Sequence, residues 1–371
     1  AGLGTAVLAT GDIGDPNERL PEITWITAWF LAVGGWAQLL VLALALHRAG
    51  AYRLPKIAGM GPRQPSGARA GPVFRAMLPT ALGLSTVQIS ALLDHAMAIY
   101  LVDPGANNFI YLANRLLQFP HALTGLALAV AVFPQLASLG QGHREGDAQR
   151  AKDRTALADR LGNALSASLL LTVPAAIGMA LVAHDLVPVL FEGGEFTASD
   201  SAVAAWTTVA VVVGLPAMGS SQIHARAFYA MGLPGTPARI SGWMLLLNLA
   251  LNAWFVLGLD LGTPGLALAT SLSSIGNALG LRLLLRRRLH RDGVPHPDSA
   301  LNLWIRVAVA SAGMAATVVG TNELLVGTAG WVRVAAAVPL GGAVYGGLLV
   351  MLKTKELAPI LAKLKGKLSR G

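Results

Sequence analysis

Cysteine is absent from the sequence, and with it go disulfide frameworks, thiolate metal sites and cysteine nucleophiles. Charge is scarce: 13% of the 371 residues are Asp, Glu, Lys or Arg, against 54% hydrophobic ones, and the mean hydropathy is +0.57. That balance exceeds what a soluble core requires and makes lipid the principal solvent. The patterns of common enzymes are missing as well, with no phosphate loop, no Gly-x-Ser-x-Gly elbow and no His-Glu-x-x-His pair. Residues 1–10 are apolar but fewer than the roughly 20 that a span needs. Without the basic region that opens a signal peptide, they read as the end of a truncated helix whose start lies upstream.

What the chain does have is a series of apolar runs of spanning length. They fall at about 24–47, 77–101, 107–139, 161–183, 202–228, 238–258, 264–285, 302–321 and 331–352. The fold class is therefore all-α, a polytopic transmembrane helix bundle of about nine complete spans plus one partial. Pro79, Pro120, Pro134, Pro174, Pro216 and Pro339 lie inside these runs, which is tolerable where neighbouring helices or cavity water satisfy the freed backbone groups. Kinked helices around a cavity are expected.

The connecting segments alternate in charge. Basic groups cluster at Arg48 to Arg75, at Arg144 to Arg160, at Arg226 and Arg239, at Arg286, Arg287, Arg288 and Arg291, and in the tail from Lys353 to Arg370. The intervening segments carry Asp12, Asp15, Glu18 and Glu22, then Asp103, then Asp185, Glu192, Glu195 and Asp200, then Asp260, then Glu323, with Arg19 as the clear basic exception. By the positive-inside rule the basic segments and the C-terminus face the cytoplasm and the acidic ones face outward. The net charge of +9 is then explained by topology and by anionic inner-leaflet lipid, and no nucleic acid is expected as a partner.

An ionisable residue deep in a span is costly enough to suggest function. Arg115 lies about a third of the way along its span, with Asn114 and Gln118 beside it. Its planar fork suits phosphate, although an arginine there can also snorkel to the interface or pair with a neighbouring acid. Asp94 is near the centre of the preceding span. Unpaired, it tends to stay protonated; it could pair with Arg115, or it could give a hard oxygen to a cation together with Asn248 and Asn252, which stack at i,i+4 on a later helix, and Thr270 on the next. Buried amides equally hydrogen-bond across helices as packing contacts. His95 reads as a cavity or core imidazole, since no second His or Cys stands at a ligand spacing beside it. Glu192 and Glu195 flank Gly193 and Gly194, which argue for a solvated turn, and Arg286 to Arg288 form a cytoplasmic anchor after a span.

In order along the chain, Met77-Leu78-Pro79 with Ser85 and Gln88-Ile89, Tyr111-x-Ala113-x-Arg115-Leu116-x-x-x-Pro120, and Gly125-Leu126-Ala127-Leu128-Ala129 before Phe133-Pro134-x-Leu136 form a recurring pattern. Then come Leu190-Phe191-Glu192-Gly193-Gly194-Glu195-Phe196-Thr197, Ala227-Phe228-Tyr229 with Thr236-Pro237, and Gly265-Leu266-Ala267-Leu268-Ala269-Thr270-Ser271. This order resembles the MurJ/MviN lipid II flippases of the multidrug/oligosaccharidyl-lipid/polysaccharide exporter superfamily. The resemblance implies fourteen helices in two six-helix lobes around a cationic cavity, with two further helices forming a groove for the lipid tail. On that plan residues 1–48 end the first lobe, 49–76 link the lobes, 77–286 form the second lobe, 301–352 the two groove helices, and 353–371 a basic cytoplasmic tail. It implies a bacterial cytoplasmic membrane protein that passes lipid II across the bilayer by alternating access, driven by membrane potential or sodium.

Under the same resemblance Arg115 matches a cavity arginine, with Asn114, Gln118 and Gln88 as companions at the substrate. The family often has an acid before this arginine, and here that position is Asn114. Asp94, Asn248, Asn252 and Thr270 fall where a family sodium site is expected, with Asn252 in place of an acid. The family's other cavity arginines belong to its first two helices, so the chain is expected not to transport alone. The rival readings are another polyprenyl-linked polysaccharide flippase, a drug/cation antiporter, a membrane enzyme on polyprenyl phosphates, and a transport-dead scaffold. The coupling ion and the oligomeric state are not written in the sequence.

Overall fold

The computed structural model describes residues 16–48, 88–103, 105–122, 147–291, 293 and 301–354. The partial span at 1–10, the linker at 49–76, the motif residues at 77–85 and 125–136 and nearly all of the basic tail lie outside the described residues. The chain divides into two units, residues 1–68 and 69–371. The first is described as one helix, α1 (Pro16–Arg48). Its apolar side chains, Trp25, Trp29 and Trp36 among them, are exposed, the condition of a helix whose solvent is hydrocarbon.

The second unit contains α2 (Gln88–Val102), α3 (Ala106–His121), α4 (Asp147–Phe191), α5 (Ala198–Val212), α6 (Leu215–Ala230), α7 (Gly235–Gly258), α8 (Gly262–Arg291), α9 (Leu301–Leu324) and α10 (Gly330–Met351). No strand occurs among the described residues beyond one isolated bridge, Gly193 to Phe196. Seven helices are long and apolar enough to cross a membrane, α1, α4, α5 with α6 as one span, and α7 to α10. The two other expected spans, 77–101 and 107–139, are described only over α2 and α3.

Helix lengths depart from the hydropathy reading in one place. α4 runs for 45 residues where the apolar run covers 161–183. At 1.5 Å per residue it is about 67 Å long, roughly twice a ~30 Å hydrocarbon core. Hydropathy marks where lipid is, whereas a helix continues through polar residues that water can solvate.

Between α5 and α6 the chain breaks at Val213 and Gly214, and the cause is Pro216. Proline has no N–H to give to the carbonyl four residues back, and its ring collides with that carbonyl, here Val212. A side chain of α8 bonds the backbone beside the break. Ser271 Oγ donates toward the carbonyls of Ala210 (2.6 Å) and Val211 (3.0 Å) and accepts from Gly214 N–H at 3.1 Å. Gly214 is required there, because a Cβ would lie 2.9 Å from Ser271 Cα.

The turn before α5 also follows its sequence. Gly194 takes the left-handed conformation at φ +59° between the two acids. Thr197 and Asp200 then close a capping box, with Thr197 N–H donating to Asp200 Oδ2 at 2.8 Å.

Small and branched apolar side chains fill the centre. Leu161 on α4, Ile223 and Phe228 on α6, and Leu281 and Leu285 on α8 make one cluster. Ala113 and Leu117 on α3, Val211 and Val212 on α5 and Leu215 on α6 make another. α9 and α10 pack on each other and on α4, and Tyr345 on α10 donates to the Leu170 carbonyl of α4 at 2.7 Å. Asp185 near the end of α4 pairs with Arg333 at the start of α10 at 2.9 Å. Arg333 is thus a second basic group on the acidic side, neutralised by its partner.

Candidate functional site

α2, α3, α5, α6, α7 and α8 line a cavity of about 380 Å³. At one end stand Asp94, Asn248 and Thr270, about 12 Å of helix from the C-terminal end of α2 and the N-terminal end of α8. Asp94 is 8% exposed and Asn252 fully buried. Asn252 Nδ2 donates to Asp94 Oδ1 at 2.7 Å and Thr270 Oγ1 to Asp94 Oδ2 at 3.2 Å. The Asn248 amide bridges the group. In one orientation its oxygen accepts from Asn252 Nδ2 at 3.2 Å and Ser90 Oγ at 3.4 Å. Turned over, its nitrogen donates to Asp94 Oδ1 at 3.1 Å and its oxygen accepts from Ser273 Oγ at 3.3 Å. Hydrogen-bond chemistry selects between the two.

The four residues expected to share a cation site are therefore in mutual contact, drawn from three helices. α2 and α7 both loosen just beyond it into matching π turns, Asp103 N–H to Ala98 O and Leu259 N–H to Trp254 O, each 3.1 Å. The side chains that hydrogen-bond the Asp94 carboxylate, two amides and a hydroxyl, are all neutral. Burying a charge without a counter-charge is expensive even when it is hydrogen-bonded. The Asn252 oxygen is also buried with no partner among the described residues. Protonation of the carboxylate would relieve the cost of the buried charge, as would a hard monovalent cation that also met the orphaned carbonyl oxygen. No group of three or more His, Cys, Asp or Glu occurs among the described residues, so a transition-metal site has no donors there.

Arg115 is placed elsewhere. On α3 the buried positions flanking Arg115 are Ala113 (1% exposed) and Leu117 (7%), each two residues away, about 200° around the helix. It lies on the exposed face. Tyr111 braces it, its hydroxyl accepting from Arg115 Nε at 2.9 Å and Nη2 at 2.8 Å, with the guanidinium carbon 4.9 Å from the ring centre. Gln118 accepts from Nη1 at 3.4 Å. No carboxylate lies within ion-pair distance of Arg115 among the described residues, and the alternative of an Asp94–Arg115 pair is closed.

Asn114, one residue round from Ala113, lines the cavity, while Gln88 is exposed on α2. His95 also lines the cavity, with Nδ1 turned back to the Ala91 carbonyl at 2.6 Å. Sequence reasoning did not single out Ser90 and Ser273, which contact Asn248, nor the polar lining further in: His121, Ser221, Gln222, Ser241 and Asn277. The signal was available as helical spacing, Ser90 four before Asp94 and Ser273 three after Thr270.

A polytopic helix bundle with a buried polar cluster in its cavity, and a Tyr111-braced guanidinium on an exposed helix face, is an arrangement met in membrane transporters. A family model described as "Lipid II flippase MurJ" matches residues 5–335. The chain belongs to the MurJ family, which is a family of transporters and not of enzymes. A probable lipid II flippase MurJ of Vibrio cholerae is 31% identical over 306 residues, 81% of this chain and 53% of its own length. One of Haemophilus influenzae is 30% identical over 317 residues, 85% of this chain and 58% of its own. The chain thus spans little more than half the length of these curated relatives. A solved structure of lipid II flippase MurJ in an inward closed conformation matches with a TM-score of 0.58 at 20% identity, over 78% of this chain and 54% of that one. That likeness identifies the bundle as a MurJ-type fold.

Proposed function

We propose that this chain is part of a lipid II flippase, with residues 1–48 ending the first lobe, 49–76 linking the lobes, 77–286 forming the second lobe, 301–352 the two tail-groove helices and 353–371 a basic tail, and with Arg115 receiving the pyrophosphate of lipid II. The observation that carries the proposal is the guanidinium itself, exposed on an apolar helix, braced by Tyr111 and unmatched by any described carboxylate. Such a fork is preorganised for a bidentate phosphate contact. Gln118 is the companion at that surface, whereas Asn114, expected beside it, lines the cavity and Gln88 is exposed on α2. The headgroup crosses by alternating exposure of the site while the lipid tail stays in hydrocarbon.

Asp94, Asn248, Asn252 and Thr270 would hold a sodium ion, which supplies the positive charge that the buried carboxylate lacks. The basic segments and the C-terminus face the cytoplasm and rest on anionic lipid. The discriminating experiment replaces Arg115 with Ala in the intact transporter and follows appearance of labelled lipid II headgroup in the outer leaflet. Loss of translocation with normal membrane insertion supports the role, and normal translocation refutes it.

A further inference from the structure

The cavity that holds the Asp94 cluster continues inward. On three helices its lining repeats after two turns: Asn114 and His121 on α3, Asn248 and Ser241 on α7, Thr270 and Asn277 on α8. In each pair the residues are about 10 Å of helix apart and on one face. α6 adds Ser221 and Gln222 at the inner end, the side on which α6 and α8 run on to Arg226 and Arg286.

Polar groups at this end do not complete one another. Ser221 is 8% exposed and its Oγ has no hydrogen-bond partner among the described residues. Neither do Asn277 Oδ1 and His121 Nδ1, although both atoms are shielded from solvent. His121 Nε2 lies 2.8 Å from the Gln222 side-chain amide. Buried polar atoms are nearly always partnered, so three orphans around one end of a continuous cavity mark a place that something polar visits. Hydroxyl, amide carbonyl and imidazole offer lone pairs there, and none of the described lining residues at that end is a carboxylate. The hydroxyl and amide oxygens suit a hard cation, and the imidazole is a poorer donor to one, so the ion would be held briefly rather than tightly.

We infer that Ser221, Asn277 and His121 form a second, transient station for the monovalent cation of the Asp94 cluster, through which it exchanges with the cytoplasmic side. The inference rests on the cation reading of that cluster.

The test measures sodium-22 bound to the purified chain in detergent, both at equilibrium and during exchange into unlabelled sodium. A Ser221→Ala/Asn277→Ala protein should bind as much sodium as the unmodified chain. It should exchange it about tenfold more slowly, the rate equivalent of removing one polar interaction from the path. Its thermal unfolding should not be lowered, since the deleted groups have no protein partner. Asn277→Asp, which places a fixed charge at the station, should also slow exchange. Unchanged exchange in both variants, with binding abolished by Asp94→Asn, overturns the station and leaves the cluster's cation intact. Normal sodium binding by Asp94→Asn overturns the cluster's cation and the station with it.

Discussion

Asp94 and Arg115 sit on successive helices and carry opposite charges, yet the fold sends them to different places. Asp94 is sunk among amides and hydroxyls inside the lobe, whereas Arg115 stands on the exposed face of α3 with a tyrosine as its brace. A pair formed between them would have been neutral and structural. Kept apart, they meet different partners, Asp94 neutral amides and a hydroxyl and Arg115 a tyrosine and Gln118. The proposed function gives each its own ligand, a cation for the first and a phosphate for the second.

The comparison breaks most visibly at Arg115. Arg115→Ala should lower lipid II translocation about a hundredfold, the loss of a charge-assisted phosphate contact worth roughly 3 kcal/mol. Thermal unfolding should stay unchanged because the side chain is exposed. Arg115→Lys should recover only part of the rate, having charge without the fork. Inside the lobe the prediction is reversed, with stability responding directly. Asn252→Leu removes the 2.7 Å donor to Asp94 and should cost about 2–3 kcal/mol in detergent unfolding. Adding Asp94→Leu should restore most of it, because the stranded charge leaves too.

Two smaller effects sharpen the frame around both sites. Gly214→Ala puts a Cβ 2.9 Å from Ser271 Cα at the α5–α6 break and should destabilise by about 1–3 kcal/mol. Arg333→Ala breaks the 2.9 Å pair with Asp185, whose side chains are 30% and 14% exposed. It should cost no more than about 1 kcal/mol, given the screening of partly exposed ions. Thermal unfolding in detergent reads both.

The sequence told most where lipid constrains it most. Apolar runs located the helices because unpaired backbone cannot sit in hydrocarbon, and Pro216 foretold the kink. Asp94, Asn248, Asn252 and Thr270 were legible as one group because a polar residue in a span must find partners, and i,i+4 spacing aligned the two asparagines. The direction of Arg115 was harder, since its neighbours Asn114 and Gln118 made both faces of α3 look polar. Only the burial of Ala113 and Leu117 decides it. The inner cavity lining was hidden for a different reason: Ser221 and Asn277 are common in membrane helices and become informative only when they lack partners. The length of α4 escaped because its polar stretch leaves no hydropathy signal.

The separation itself is tested most directly by the sodium dependence of lipid II translocation in the intact transporter, measured for Asp94→Asn and Arg115→Lys side by side. The account predicts that Asp94→Asn no longer responds to sodium, whereas Arg115→Lys is slower throughout but half-saturates at the unmodified protein's sodium concentration. A sodium response that survives Asp94→Asn, or a half-saturation point that moves with Arg115→Lys, would contradict it.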